Sequence, residues 1–213
     1  MTVDRSTNGA MPAASAPDAT LDDWTPSERI SWFPIPTEEE LDPRVQELIS
    51  RQREKLGAPS NVVRVHSWRP ELMLRWLELY DHITRGPSGL SRAEREMIAV
   101  VVSSENGCML CQTNHGADLR RLTKDPILAD RVALDYRRAG LDPRTRAMLD
   151  YAVKITRTPV ECDEADIETL RGHGFTDEDI YDIINTAAIY NFNNRVSNAA
   201  GFLPDRANHG LYR

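Results

Sequence analysis

The chain has only three cysteines in 213 residues, too few for the paired framework that staples small secreted domains. It also lacks positive charge: 26 Lys and Arg stand against 33 Asp and Glu, for a net charge of −7. A duplex-binding surface needs a basic stripe to displace counterions, so no nucleic-acid partner is expected. No apolar run is long enough to span a bilayer, so no membrane partner is expected. The opening MTVDRSTNGAMPAASAPDATLDD has no signal-peptide apolar core and is rich in Ala, Ser, Thr, Pro and Asp. Residues 1–25 read as a disordered tail, residues 26–213 as one domain, and the chain as cytoplasmic. Strand signals are missing too. The pair Asn106-Gly107 joins two helical runs, and VVRVHSW at 62–68 could pass for a strand but has no partner.

Helix signals, by contrast, recur. Asp42-Pro43, Arg69-Pro70, Asp125-Pro126 and Asp142-Pro143 each open an apolar-periodic run, with proline at the first helical position. Gly57 is a stop after the first of these. Ser91 with Glu94, and Thr176 with Asp179, have the spacing of capping pairs. In the run from Pro70, Leu72, Trp76, Leu79 and Ile83 recur at helical intervals. The expected fold class is all-α.

Two of the three thiols fall in one stretch, SENGCMLCQTNH, residues 104–115. In a helix that starts after Asn106-Gly107, Cys108, Cys111 and His115 lie at i, i+3 and i+7, on one face. Cys108 is expected in the first turn, where free N–H groups and the helix dipole favour a thiolate. His115 lies one turn beyond Cys111, near enough to exchange a proton with it. The arrangement suits a redox pair; the competing readings are packed core groups and a metal site. A structural zinc site takes four ligands, and this stretch supplies three with no second knuckle elsewhere, so no metal is expected. Cys162, alone in PVECDEAD, reads as a small helix-flanking residue. The preceding run EREMIAVVVSS is almost wholly apolar after Glu96, which marks a buried helix. A carboxylate carried into a core has its pKa raised and can act as a base near neutrality. The alternative for Glu96 is a rim carboxylate paired with Arg92 or Arg95.

The stretch REMIAVVVSSENGCMLCQTNHGADLRRL resembles the signature of the alkylhydroperoxidase D family, within the carboxymuconolactone decarboxylase superfamily. Glu96, Cys108, Cys111 and His115 match that signature position by position. SNVVRVHSWRPE, GLSRAEREMIAV and NFNNRVSNAAGFLPD resemble its peroxidase-related branch, and the likeness runs over about residues 30–205. The resemblance implies an AhpD-like helical domain and a homo-oligomer, dimer, trimer or hexamer. It implies a hydroperoxide reductase that binds no cofactor and is recycled by an external dithiol such as a lipoyl group on a partner protein. In that scheme Cys111 attacks the peroxide, Cys108 closes a disulfide onto it, and Glu96 and His115 relay protons. Cys108 would then meet the reductant and Cys111 the peroxide. The best-known members of the family have a second histidine directly before the second cysteine, where this chain has Leu110. A lactone decarboxylase or isomerase on the same scaffold, and a non-catalytic redox-sensing oligomer, are the alternatives.

Of the other residues, His66, His82 and His173 follow no ligand spacing and read as surface or packing groups. Trp68, Trp76 and Tyr80 read as core or subunit contacts. Asn191, Asn193, Asn194 and Arg195 read as a subunit interface, with a polar wall beside the site as the alternative.

Overall fold

The computed structural model describes residues 25–26 and 28–213, and among them there is helix and no strand. The tail expected over 1–25 lies, except for Thr25, outside the described residues. Among the described residues nine α-helices run in chain order: α1 Pro43–Leu56, α2 Asn61–His66, α3 Pro70–Arg85, α4 Arg92–Glu105, α5 Met109–Thr123, α6 Pro126–Asp135, α7 Pro143–Arg157, α8 Glu164–Gly172 and α9 Asp177–Ala200. The punctuation works as the residues dictate. The Asp42, Asp125 and Asp142 carboxylates accept backbone N–H bonds at the heads of α1, α6 and α7, each with proline in the first turn. Ser91 with Glu94 and Thr176 with Asp179 form complete capping boxes. Gly57 ends α1 with φ of +85°, a conformation that disfavours a side chain. The segment 62–68 is no strand; Asn61–His66 is a short helix whose N-cap, Ser60, accepts from Val63 N–H.

The core is organised around α4, which packs against α5, α6, α7 and α9. Every α4 residue from Arg95 to Ser103 is buried, because the helix is enclosed on all sides. Ile98 and Val102 of α4, Met148 and Leu149 of α7, and Ile183 of α9 are fully enclosed in the main apolar cluster. A second cluster joins distant parts of the chain: Ile30, Val65, Cys108, Leu110, Cys111, Ala200 and Phe202. The extended segment around Ile30 is tied to the end of α9 by Trp32 N–H to Ala200 C=O, 2.9 Å, and Leu203 N–H to Ile30 C=O, 3.0 Å. Gly201 closes α9 at φ +67°, and a Cβ there would fall 2.4 Å from the Trp32 indole nitrogen. Glycine is thus required twice over.

The buried face of α3 differs from the expected one. Leu72 and Leu79 are exposed at 59% and 52%, and Met73, Tyr80 and Thr84 are buried instead. The helix is turned by about one residue, because its inner face must seat Trp76 and Tyr80 against α9. Trp68 is 47% exposed, with Phe33 edge-on at 6.2 Å, so it is not a core residue of this chain.

Candidate active site

The helical phase brings all four signature residues together. Cys108 is the N-cap of α5 rather than a first-turn residue, with φ −88° and ψ 101°. Cys111 follows in the first turn and His115 one turn later. Glu96 enters from α4, buried, and its Oε2 shares a 2.7 Å hydrogen bond with His115 Nδ1. Its Oε1 lies 3.5 Å from Arg92 Nη2. Glu96 is therefore both a buried carboxylate and an arginine partner, while Arg95 turns away to the carbonyls of Ile83 and Gly86. With Glu96 ionised, the proton of the shared bond sits on Nδ1 and Nε2 is left as the acceptor.

The two thiols are free, buried and in mutual contact. The Cys111 S–H donates to the Cys108 sulfur, which is the main reason the Cys108 pKa is lowered, to about 6. Cys111, as the partner that holds the proton, is raised well above the usual thiol value, and burial pushes it further. Asn194 and Ser197 on α9 approach both sulfurs and favour the charged form. The thiol whose pKa is lowered is the one at the N-cap of α5.

Only Cys111 opens onto space. It lines a cavity of about 520 Å³ together with His66, Trp76, Tyr80, Leu110 and His115. That volume suits a small organic molecule. Trp76 is held by a 2.8 Å bond from its Nε1 to Asn193 Oδ1, and His66 stacks on it with centroids 4.5 Å apart. Burial lowers the His66 pKa to about 4, so it is neutral at physiological pH. Behind the relay, the Tyr190 hydroxyl lies 3.5 Å from His115 Nδ1 and 3.3 Å from the Tyr80 hydroxyl. Desolvation raises both tyrosine pKa values, keeping both hydroxyls protonated.

Several groups at this site escaped the sequence reading. His66 is a cavity wall and not an idle packing residue. Asn193 and Asn194 are buried, which corrects their assignment to a subunit interface. Asn194 bonds Ser103 Oγ and Asn106 Nδ2 and forms the polar wall beside the sulfurs. Tyr190 gave no spacing signal at all; only its place on a long helix ending in a run of asparagines hinted at it. Arg195 is exposed and bonds Asn191. His82 is exposed, and His173 is half-buried beside α7, away from the thiols. Cys162 caps a 3₁₀ turn and packs half-buried on the main core, as a helix-flanking residue should.

Among the described residues, Glu96, His115 and Asp118 could each offer one ligand atom to a cation, the atoms lying within 4.8 Å of one another. Both carboxylates already have guanidinium partners, Arg92 on Glu96 and Arg121 on Asp118 at 2.7 Å. Added positive charge would meet those arginines first, so the donor set fits a proton relay better than a metal.

An all-α fold around a Glu–His pair and two touching thiols defines an AhpD-like domain. The chain belongs to the carboxymuconolactone decarboxylase family, whose model matches residues 70–127 and 127–205. It is 41% identical to an uncharacterized peroxidase-related protein of Silicibacter sp. TM1040, over 89% of this chain and 99% of that one, with a TM-score of 0.84. It is 37% identical to a peroxidase-related protein with an alkylhydroperoxidase AhpD core from Ralstonia eutropha JMP134, over 88% and 98%, also at 0.84. The debrominase Bmp8 shares the fold at 18% identity and TM-score 0.67, over 84% of this chain and 93% of that one. No curated protein matches the chain in sequence.

Proposed function

We propose that this protein is a thiol-dependent reductase of organic hydroperoxides. The observation that carries the reading is the contact of Cys108 with Cys111, whose sulfur opens onto the cavity that also holds the Glu96-bonded His115. The proton shared by the thiols passes from Cys111 to Cys108 or, through His115, to Glu96. The Cys111 thiolate attacks the outer peroxide oxygen. The O–O bond breaks, the sulfur becomes a sulfenic acid, and the alkoxide takes a proton from the relay and leaves as alcohol. The Cys108 thiolate then attacks the Cys111 sulfur. Hydroxide leaves, takes a proton and departs as water, and the disulfide closes. An external dithiol, such as a lipoyl group carried by a partner protein, restores both thiols. No bound cofactor enters this cycle. A cytoplasmic setting keeps the thiols reduced between turnovers. The exposed Trp32, Phe33 and Trp68 support self-association, consistent with a homo-oligomer.

The deciding experiment is peroxide consumption with an excess of dihydrolipoamide over repeated cycles, with free thiols counted at each stage. Sustained turnover with two thiols lost and regained per chain is the expected result. Disulfide formation without turnover would make the protein a redox sensor. Lactone turnover that persists in Cys111→Ser would make it a decarboxylase.

A further inference from the structure

The disulfide offers a reductant two sulfurs, and only one has a way in. Cys111 lines the cavity, whereas Cys108 has no exposed surface and is closed in by Ile30, Val65, Ala200 and Phe202. Ile30 is pinned over that side by the two backbone bonds that tie its segment to residues 200–203. We propose that the reductant forms its mixed disulfide with Cys111 and expels Cys108, so that peroxide and reductant use the same sulfur through the same cavity. This rests on the redox reading above, and it revises the expected division of labour in which Cys108 meets the reductant.

The chemistry balances. A thiolate of the dithiol attacks Cys111 Sγ, forming one S–S bond. The Cys108–Cys111 bond breaks, and its electron pair leaves on Cys108. The second thiolate of the same dithiol then attacks the dithiol's own bound sulfur, closes its internal disulfide and releases Cys111 as thiolate. Two electrons pass from dithiol to protein, and the two dithiol protons end on the two cysteines. Cys108 is the better leaving group of the pair: it caps α5, where the Cys111 backbone N–H favours its charged form. The reductant must carry both thiols on one slender arm, because the second has to reach a sulfur already inside the cavity. A dithiol fixed on a broad folded surface does not fit that demand.

The test uses the full chain carrying Cys162→Ser, to remove the third thiol. The pair is oxidised with diamide, then given limiting 2-mercaptoethanol, a monothiol that cannot complete the second step. The sample is acid-quenched, unfolded and blocked with N-ethylmaleimide. Tandem mass fragmentation between Met109 and Leu110 then reads each cysteine separately. The expected pattern is mercaptoethanol on Cys111 and maleimide on Cys108, in roughly tenfold or greater excess over the reverse. Equal or reversed labelling overturns the proposal and means that the Ile30 segment opens. Failure of diamide to join Cys108 to Cys111 sinks the redox reading itself, and the proposal with it. A second measurement is independent of quenching. The lone Cys111 of Cys108→Ser should react readily with dithiodipyridine, and the lone Cys108 of Cys111→Ser should react only after unfolding in urea. Prompt reaction of native Cys108 overturns the proposal equally.

Discussion

Helix α4 divides the interior into two regions of equal burial and opposite character. On one side Ile98 and Val102 meet Met148, Leu149 and Ile183 in a cluster of apolar and aromatic side chains. On the other, Glu96 and Ser103 of the same helix meet His115, Tyr190 and Asn194. A buried polar group without a partner costs more than it returns, so this second region persists only because its members bond one another. On the proposed function, the apolar region sets stability and the polar seam sets chemistry. The difference can be broken from either side.

The largest effect expected is on the seam. Cys111→Ser removes the proposed nucleophile and should lower peroxide turnover roughly 10³-fold or more while leaving the helical circular dichroism unchanged. Glu96→Gln keeps shape but cannot accept a proton; turnover should fall by roughly 10²-fold, and unchanged turnover would reduce Glu96 to a structural partner of Arg92.

The apolar counterpart is Met148→Ala, at a fully buried position. It should cost about 2–5 kcal/mol of unfolding free energy by leaving a cavity, read in a urea titration, with near-normal turnover per folded molecule. A large loss of turnover there at full folding would erase the distinction between the two regions.

A titration sharpens it further. The Cys108 pKa is lowered to about 6, chiefly by the Cys111 S–H. Ultraviolet absorbance should therefore show one thiolate per chain forming well below the usual thiol range near 8.5. A lowered pKa contributes stability that is fully present above the unfolded value and is lost as pH falls through about 6, so the reduced protein should lose this contribution on acidification. Cys111→Ala removes the donor and should move the thiolate midpoint upward.

The smallest change expected is Leu110→His. The leucine is buried against both cysteines, so an imidazole there would cost about 1–3 kcal/mol unless it finds a partner. It should raise turnover near neutral pH by roughly tenfold at most. A pH–rate profile that overlays the wild type would show that Tyr190 and Tyr80 already suffice behind His115.

The apolar region was legible in the sequence and the seam only half so. Asp-Pro starts and capping boxes act through neighbours a few residues away, so they marked the helices of the main core correctly. That Glu96 and His115 act together was implied by the family signature alone; the residues themselves left Glu96 open between a buried carboxylate and an arginine partner. His66, Asn194 and Tyr190 followed from neither. Their roles arise where α2 and α9 meet α5, and no local period encodes that meeting. The exposure of Leu72 and Leu79 failed for a related reason: a helix rich in apolar residues has two plausible inner faces, and its neighbours choose between them.

The cover over Cys108 has a consequence for the order in which the protein is made. Its parts come from residues near 30, 65, 108–111 and 200–202. During synthesis the cysteine pair leaves the ribosome long before Ala200 and Phe202 exist to close over it. Until the last helix is complete, both sulfurs stay open to any oxidant in the surroundings. On the proposal above, selectivity for one sulfur is therefore a property of the finished chain alone, and newly made protein passes through a stage in which it has none.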